Sequence, residues 1–125
     1  MILVVDDDAD VRAAIGRALT ELGYPVREAM NGASAIAALG EERPELVILD
    51  YVMPDMDGAE VARAIGDIDP DLPVIFSTGH AALRALRSTA GEDVAVLEKP
   101  FTLDELDLLL SERLAEGRRR RRAAA

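Results

Sequence analysis

Three aspartates, a threonine and a lysine stand at or just beyond the ends of short apolar runs. Ile2-Leu3-Val4-Val5 leads into Asp6-Asp7, and Leu46-Val47-Ile48-Leu49 leads into Asp50. Val74-Ile75-Phe76 leads into Ser77-Thr78, and Val94-Ala95-Val96-Leu97 passes through Glu98 into Lys99-Pro100. Carboxylate oxygens suit a hard divalent cation such as Mg²⁺. A hydroxyl and an ammonium suit phosphoryl oxygens. If the four runs are parallel strands, all these groups meet at the carboxyl edge of one sheet, where open α/β folds place their sites. The chemistry this set could do is that of a cation and a phosphoryl group held together.

Asp50 weighs most. An acid that ends four continuous apolar residues is partly withdrawn from water, and burying an unpaired charge is expensive. A cation shared with Asp6 and Asp7 would compensate it. Asp8 is read differently, as the N-cap of the helix that follows, where a short acid is favourable.

The elements needed to position these groups follow from the pattern. Strand and helix alternate five times. Val11, Ile15, Leu19 and Leu22 recur at helical spacing, and Gly23 closes that helix. Pro25 to Ala29 reads as a second strand, and Asn31-Gly32 opens a helix ending near Gly40. Glu45 to Leu49 is continuously apolar after its first residue, as expected of a strand covered on both faces. The segment from Val52 to Gly58 is a loop, followed by a helix through Val61 and Ile65. Val74 to Phe76, a helix over His80 to Ala90, and Val94 to Leu97 come next. Thr102 and Glu105 have capping-box spacing, ahead of a stripe of Leu103, Leu106, Leu110 and Leu114. Such alternation implies right-handed crossovers and a parallel sheet wrapped on both sides.

Composition narrows the class. At 125 residues the chain is expected to be one domain. Aromatics make up only 3%, so the core must be mostly Ala, Val, Ile and Leu. Cysteine is absent, which excludes disulfides and thiolate metal sites and suits a reducing, cytoplasmic location. No apolar run approaches the ~20 residues that span a bilayer, so no membrane insertion is expected. Strand residues begin at once, so no signal peptide is expected. The formal charge is −10, or −15 without the run Arg118 to Arg122. A body so acidic repels a polyanion, and direct nucleic-acid binding is not expected. Lys99 is the only lysine in the chain. Residues 1–116 are read as the domain and residues 117–125, without apolar periodicity, as a basic, disordered tail.

Taken in order, Val4-Val5-Asp6-Asp7, Asp50 with Met53-Pro54 and Asp57-Gly58, Thr78-Gly79 and Lys99-Pro100-Phe101 resemble the receiver domains of bacterial two-component response regulators. The resemblance runs from residue 2 to about residue 116. It implies a flavodoxin-like, doubly wound (βα)5 fold with a five-stranded parallel sheet in the order 2-1-3-4-5. It also implies that Asp50 takes a phosphoryl group from a phosphohistidine, on a sensor histidine kinase or a histidine phosphotransfer protein. Asp6, Asp7, Asp50 and the carbonyl of Val52 would hold Mg²⁺, or Mn²⁺, with Asp6 acting mainly through bound water. Lys99 would pair with Asp50 and then with a phosphoryl oxygen. Thr78 would donate its hydroxyl to another and move toward it. The implied protein switches a partner rather than turning over an external substrate.

Two positions depart from the pattern or bear on it. Val96 stands where most receivers coupled to an output carry Tyr or Phe, with Phe101 as the aromatic nearby. Valine there looks like the receivers attached to hybrid histidine kinases. His80, the only histidine, is not read as phosphorylated; with Val52 it is expected to govern water's access to an acyl phosphate. The competing class is an Mg²⁺-dependent phosphohydrolase with an aspartyl-phosphate intermediate. Such enzymes usually need a second acid two residues after the nucleophile, and Val52 occupies that place. A degenerate binding module is the third reading, and retention of all five site residues speaks against it.

Overall fold

In a computed structural model, residues 1–54 and 57–124 are described. Asp55 and Met56, inside the loop read from Val52 to Gly58, and Ala125 of the tail lie outside the described residues. The strands are β1 (Ile2–Val5), β2 (Val26–Ala29), β3 (Leu46–Asp50), β4 (Val74–Gly79) and β5 (Ala95–Lys99). The helices between and after them are α1 (Ala9–Glu21), α2 (Gly32–Glu41), α3 (Gly58–Ile68), α4 (His80–Ala90) and α5 (Leu103–Ala124). All strand pairs are parallel and their order is β2-β1-β3-β4-β5. The doubly wound architecture expected from the alternation is the one observed.

Alternation along each strand divides the core into two layers. Ile2, Val4, Leu46, Ile48, Ile75 and Leu97 meet Ile15 and Leu19 of α1 and Leu106, Leu110 and Leu114 of α5. Leu3, Val5, Val47, Leu49 and Phe76 meet Leu39 of α2, Val61 and Ile65 of α3 and Leu86 of α4. Both faces of every central strand are therefore dry, which is why those strands read as unbroken apolar runs. Among the described residues, Phe76 is the only aromatic in the buried core.

Local signals start the helices where they stood in the sequence. Asp8 caps α1 by accepting from Asp10 and Val11 N–H. Asn31 and Ser34 form a reciprocal capping box on α2, and Asp57 caps α3. Thr102 Oγ1 accepts from Glu105 N–H at 3.1 Å.

The strand ends and the tail differ from the sequence reading. The ladders run further than the apolar residues do, so Asp50, Thr78 and Lys99 are themselves strand residues. Neighbouring strands hold them extended; polarity at the tip does not end a ladder.

The second difference is the tail. Helix α5 does not stop near residue 116 but continues to Ala124. Gly117 is buried against the turn before β4, where an added Cβ would lie 2.7 Å from Pro73 Cγ. Arg121 donates to Asp69 Oδ2 at 2.7 Å, Arg120 to Glu116 at 2.6 Å, and Arg118 lies 3.7 Å from Glu45. Arginine is a good helix former, and cations at a helix C-terminus complement its dipole.

Asp69 is buried in the turn before β4, with Arg43 at 3.5 Å as its second partner. Burial pushes its carboxyl up, but the hydrogen bond and charge of Arg121 outweigh that and hold it below the usual range. A lowered folded pKa gives stability above the ordinary carboxylate pKa and loses it as pH falls. Arg121→Ala should cost about 1 kcal/mol, since Arg121 is half exposed and Arg43 remains. Urea denaturation checks this, and the loss should shrink in acid.

Candidate functional site

The carboxyl edge of the sheet gathers the acids. Asp6 and Asp7 follow β1, Asp50 ends β3, and one carboxylate oxygen from each lies within 4.8 Å of the others. Asp6 is 1% exposed and Asp50 7%, whereas Asp7 faces solvent. Asp6 is held at both ends. Its Oδ1 accepts from Asp8 N–H at 2.9 Å, and its carbonyl accepts from Arg12 Nη1 at 2.7 Å.

Lys99 reaches over from β5. Its Nζ lies 3.3 Å from Asp6 Oδ2 and 3.6 Å from Asp50 Oδ1. The sequence reading paired it with Asp50 alone; the structure sets it between two acids, nearer Asp6. The remaining support for Asp50 is Val52 N–H, which donates to Oδ1 at 3.3 Å. Burial, opposed by Lys99 and reinforced by Asp6 and Asp7, pushes the Asp50 carboxyl up to about 6. Three acids share one ammonium, so the cluster is short of positive charge and the acids disfavour one another's ionisation.

Thr78 lies one residue past the β4 partner of Asp50 and is buried, with Oγ1 at 3.4 Å from the carbonyl of Gly79. The side chain of Val52 is 61% exposed beside the acids. His80 opens α4 with Nδ1 2.9 Å from Glu98 Oε1, an exposed pair that ties it to β5.

Other residues bear on the site through contacts that were not read from the sequence. Gly58 opens α3 directly against the backbone of Asp50 and Tyr51. Tyr51 packs edge-on against Phe76, ring centroids 6.1 Å apart, and its hydroxyl lies 3.4 Å from the carbonyl of Ala85 in α4. Phe76 is in register with Val96. The aromatic beside Val96 is thus Phe76 of β4, itself met edge-on by Tyr51, while Phe101 packs with the other core layer. Only the Asp-Gly helix start hinted at any of this in the sequence.

A family model for the response regulator receiver domain matches residues 2–111. The chain belongs to the response regulator receiver family. As a receiver domain it is a component of two-component signalling. It is 49% identical over 107 residues to the response regulator receiver protein CpdR of Brucella abortus, covering 84% of this chain and 88% of CpdR. The response regulator MprA of Mycolicibacterium vanbaalenii is 41% identical over 107 residues, and there the match spans 46% of the relative. The solved receiver domain of NtrX from Brucella abortus superposes with a TM-score of 0.86 at 33% identity, covering 92% of this receiver and 98% of that one. A CheY-like receiver from Methanospirillum hungatei gives 0.83 at 30% identity over 95% of this chain and 96% of its own. Among the described residues, no helix of this receiver is long and apolar enough to cross a membrane.

Proposed function

We propose that Asp50 is a phosphoacceptor, taking a phosphoryl group from the phosphohistidine of a sensor histidine kinase or a histidine phosphotransfer protein. The observation that carries this is the convergence of three carboxylates within 4.8 Å beside the one lysine. Such a donor set, all hard oxygens and short of positive charge, fits Mg²⁺ or Mn²⁺. Asp6, Asp7, Asp50 and the Val52 carbonyl are the groups to hold it, Asp6 acting mainly through bound water. A bound divalent cation supplies charge neutralisation between an anionic nucleophile and an anionic phosphoryl group.

The chain's own residues do the rest. A carboxylate oxygen of Asp50 attacks phosphorus, the P–N bond breaks, and its electron pair returns to the donor imidazole. Val52 N–H and Lys99 hold Asp50 Oδ1, which directs the other oxygen outward. Lys99, already poised between two acids, shifts to a phosphoryl oxygen when the Asp50 carboxylate is taken up in the acyl phosphate. Thr78 supplies a hydroxyl to another phosphoryl oxygen. Its present partner, a carbonyl at 3.4 Å, is weak enough to be exchanged. That movement alters the junction of β4 with α4 at Gly79 and His80, and a partner binding one arrangement preferentially reads the signal. Val52 offers no acid or base beside the acceptor, which supports a phosphoacceptor over a phosphohydrolase.

Incubation with a small phosphodonor and Mg²⁺, read by intact mass, should give one phosphoryl adduct. It should vanish in Asp50→Ala and when Mg²⁺ is chelated. Neither adduct nor released phosphate from the wild type would sink the reading and leave a binding module.

A further inference from the structure

Ser77 precedes Thr78 on β4, and its hydroxyl is buried with no hydrogen-bond partner among the described residues. A buried hydroxyl left unpaired carries a desolvation penalty that no described residue of the unmodified protein offsets. Each such group in a well-packed core invites a reason.

The sheet says where that hydroxyl looks. The β3–β4 register sets Ser77 directly beside Asp50. Ile48 and Ile75 belong to one core layer, so Asp50 and Ser77, each two residues on, project from that same face. Lys99 does too, following Leu97 of that layer. Thr78 follows Phe76 of the other layer and projects from the opposite face. The two adjacent hydroxyls are therefore not duplicates. Thr78 belongs with the α2, α3 and α4 side of the sheet, and Ser77 with the strand face that carries the acceptor carboxylate.

Asp50 Oδ1 is thinly served, by Val52 N–H at 3.3 Å and by Lys99 at 3.6 Å. A serine hydroxyl moves among three staggered positions by a single χ1 rotation. We propose that Ser77 donates a hydrogen bond to the Asp50 carboxyl group as the phosphoryl group is lost to water, and so helps set the lifetime of the phosphorylated state. The inference rests on the phosphoacceptor reading above. In the step concerned, water attacks phosphorus and the P–O bond to Asp50 breaks. Its electron pair returns to the carboxylate, and the proton of the attacking water leaves with phosphate or to solvent. Negative charge grows on the carboxylate beside Ser77, and a donor brought to it by that one χ1 rotation stabilises it.

The test uses the full chain, phosphorylated with a small phosphodonor, freed of donor and followed by phosphate release in Mg²⁺ buffer. Ser77→Ala should release phosphate about tenfold more slowly, less than the ~10²–10³ of a sole oxyanion donor because Val52 N–H also serves Asp50. Ser77→Thr, which keeps the hydroxyl, should release at close to the wild-type rate. Ser77→Ala should melt no lower than wild type, since it deletes an unpaired polar group. Equal release from wild type and Ser77→Ala overturns the proposal. So does a Ser77→Thr rate as slow as that of Ser77→Ala, because packing would then set the rate. A wild type that neither takes up nor releases a phosphoryl group removes the phosphoacceptor reading and this inference together, and the wild-type sample alone reveals it.

Discussion

Asp50→Asn is expected to stabilise the metal-free protein at neutral pH while abolishing the phosphoryl adduct. The folded carboxyl titrates near 6 against an ordinary 3.8, chiefly because it is buried among acids. Between those values the folded state binds more protons than the unfolded one. Stability therefore falls as pH rises from 3.8 to about 6, and the full penalty persists above that. At one pKa unit per 1.36 kcal/mol, the charge costs on the order of 2–3 kcal/mol. Asparagine removes that net cost, in which the attraction to Lys99 is already counted, so a gain of about 2–3 kcal/mol is expected. Urea denaturation in chelator, repeated from pH 4 to pH 8, should show this slope in wild type and a flatter profile in the variant. Mg²⁺ should stabilise wild type more than Asp50→Asn. Equal stability of the two proteins at pH 7 without metal would mean that Asp50 is not under electrostatic strain.

Gly58→Ala should be the most damaging small substitution near the site. A Cβ there would lie 2.7 Å from Tyr51 Cα and 2.9 Å from the carbonyl oxygens of Asp50 and Tyr51. Those are backbone atoms in and just beyond the β3 ladder, and Gly58 N–H also donates to Tyr51 O at 3.0 Å. Relief requires α3 to retreat or the acceptor loop to shift. A cost of about 2–3 kcal/mol is expected, the upper part of the overpacking range, with weaker Mg²⁺ binding because Val52 moves with Tyr51. Gly66→Ala in the same helix is the control. Nothing lies within 4 Å of its added Cβ, so it should stabilise by about 0.5–1 kcal/mol. Denaturation midpoints for the pair decide the matter. A Gly58→Ala midpoint at or above wild type would show that the close approach is not real.

Much of this arrangement was legible in the chain because the sheet is parallel and covered on both faces. Four of the five strands announce themselves as short runs of Val, Ile and Leu, and the acids stand where those runs stop. Asp8, Asn31 and Asp57 act within two or three residues of themselves, so their caps are local facts. What was hidden depends on contacts distant in sequence. The tail has no apolar stripe, and its docking rests on Gly117 against Pro73 and on Arg121 with Asp69, partners 52 residues apart. Lys99 sits nearer Asp6 than Asp50 because of how far its stem reaches across the sheet, a distance spacing cannot supply. Tyr51 and Ser77 are common residue types whose positions become informative only when register shows what lies beside them.

The course of α5 sorts the molecule's charge. The helix begins at the acid-bearing edge and returns to the start of β4, so Arg118 to Arg122 gather at the pole opposite Asp6, Asp7 and Asp50. Within a net charge of −10, that separation makes the domain an electric dipole aligned with its strands. A positively charged body approaching from any side exerts a torque that turns the carboxylate pole toward it before contact. Orientation is then partly solved during diffusion rather than at the interface, and the benefit fades as salt shortens the reach of the field to about 8 Å.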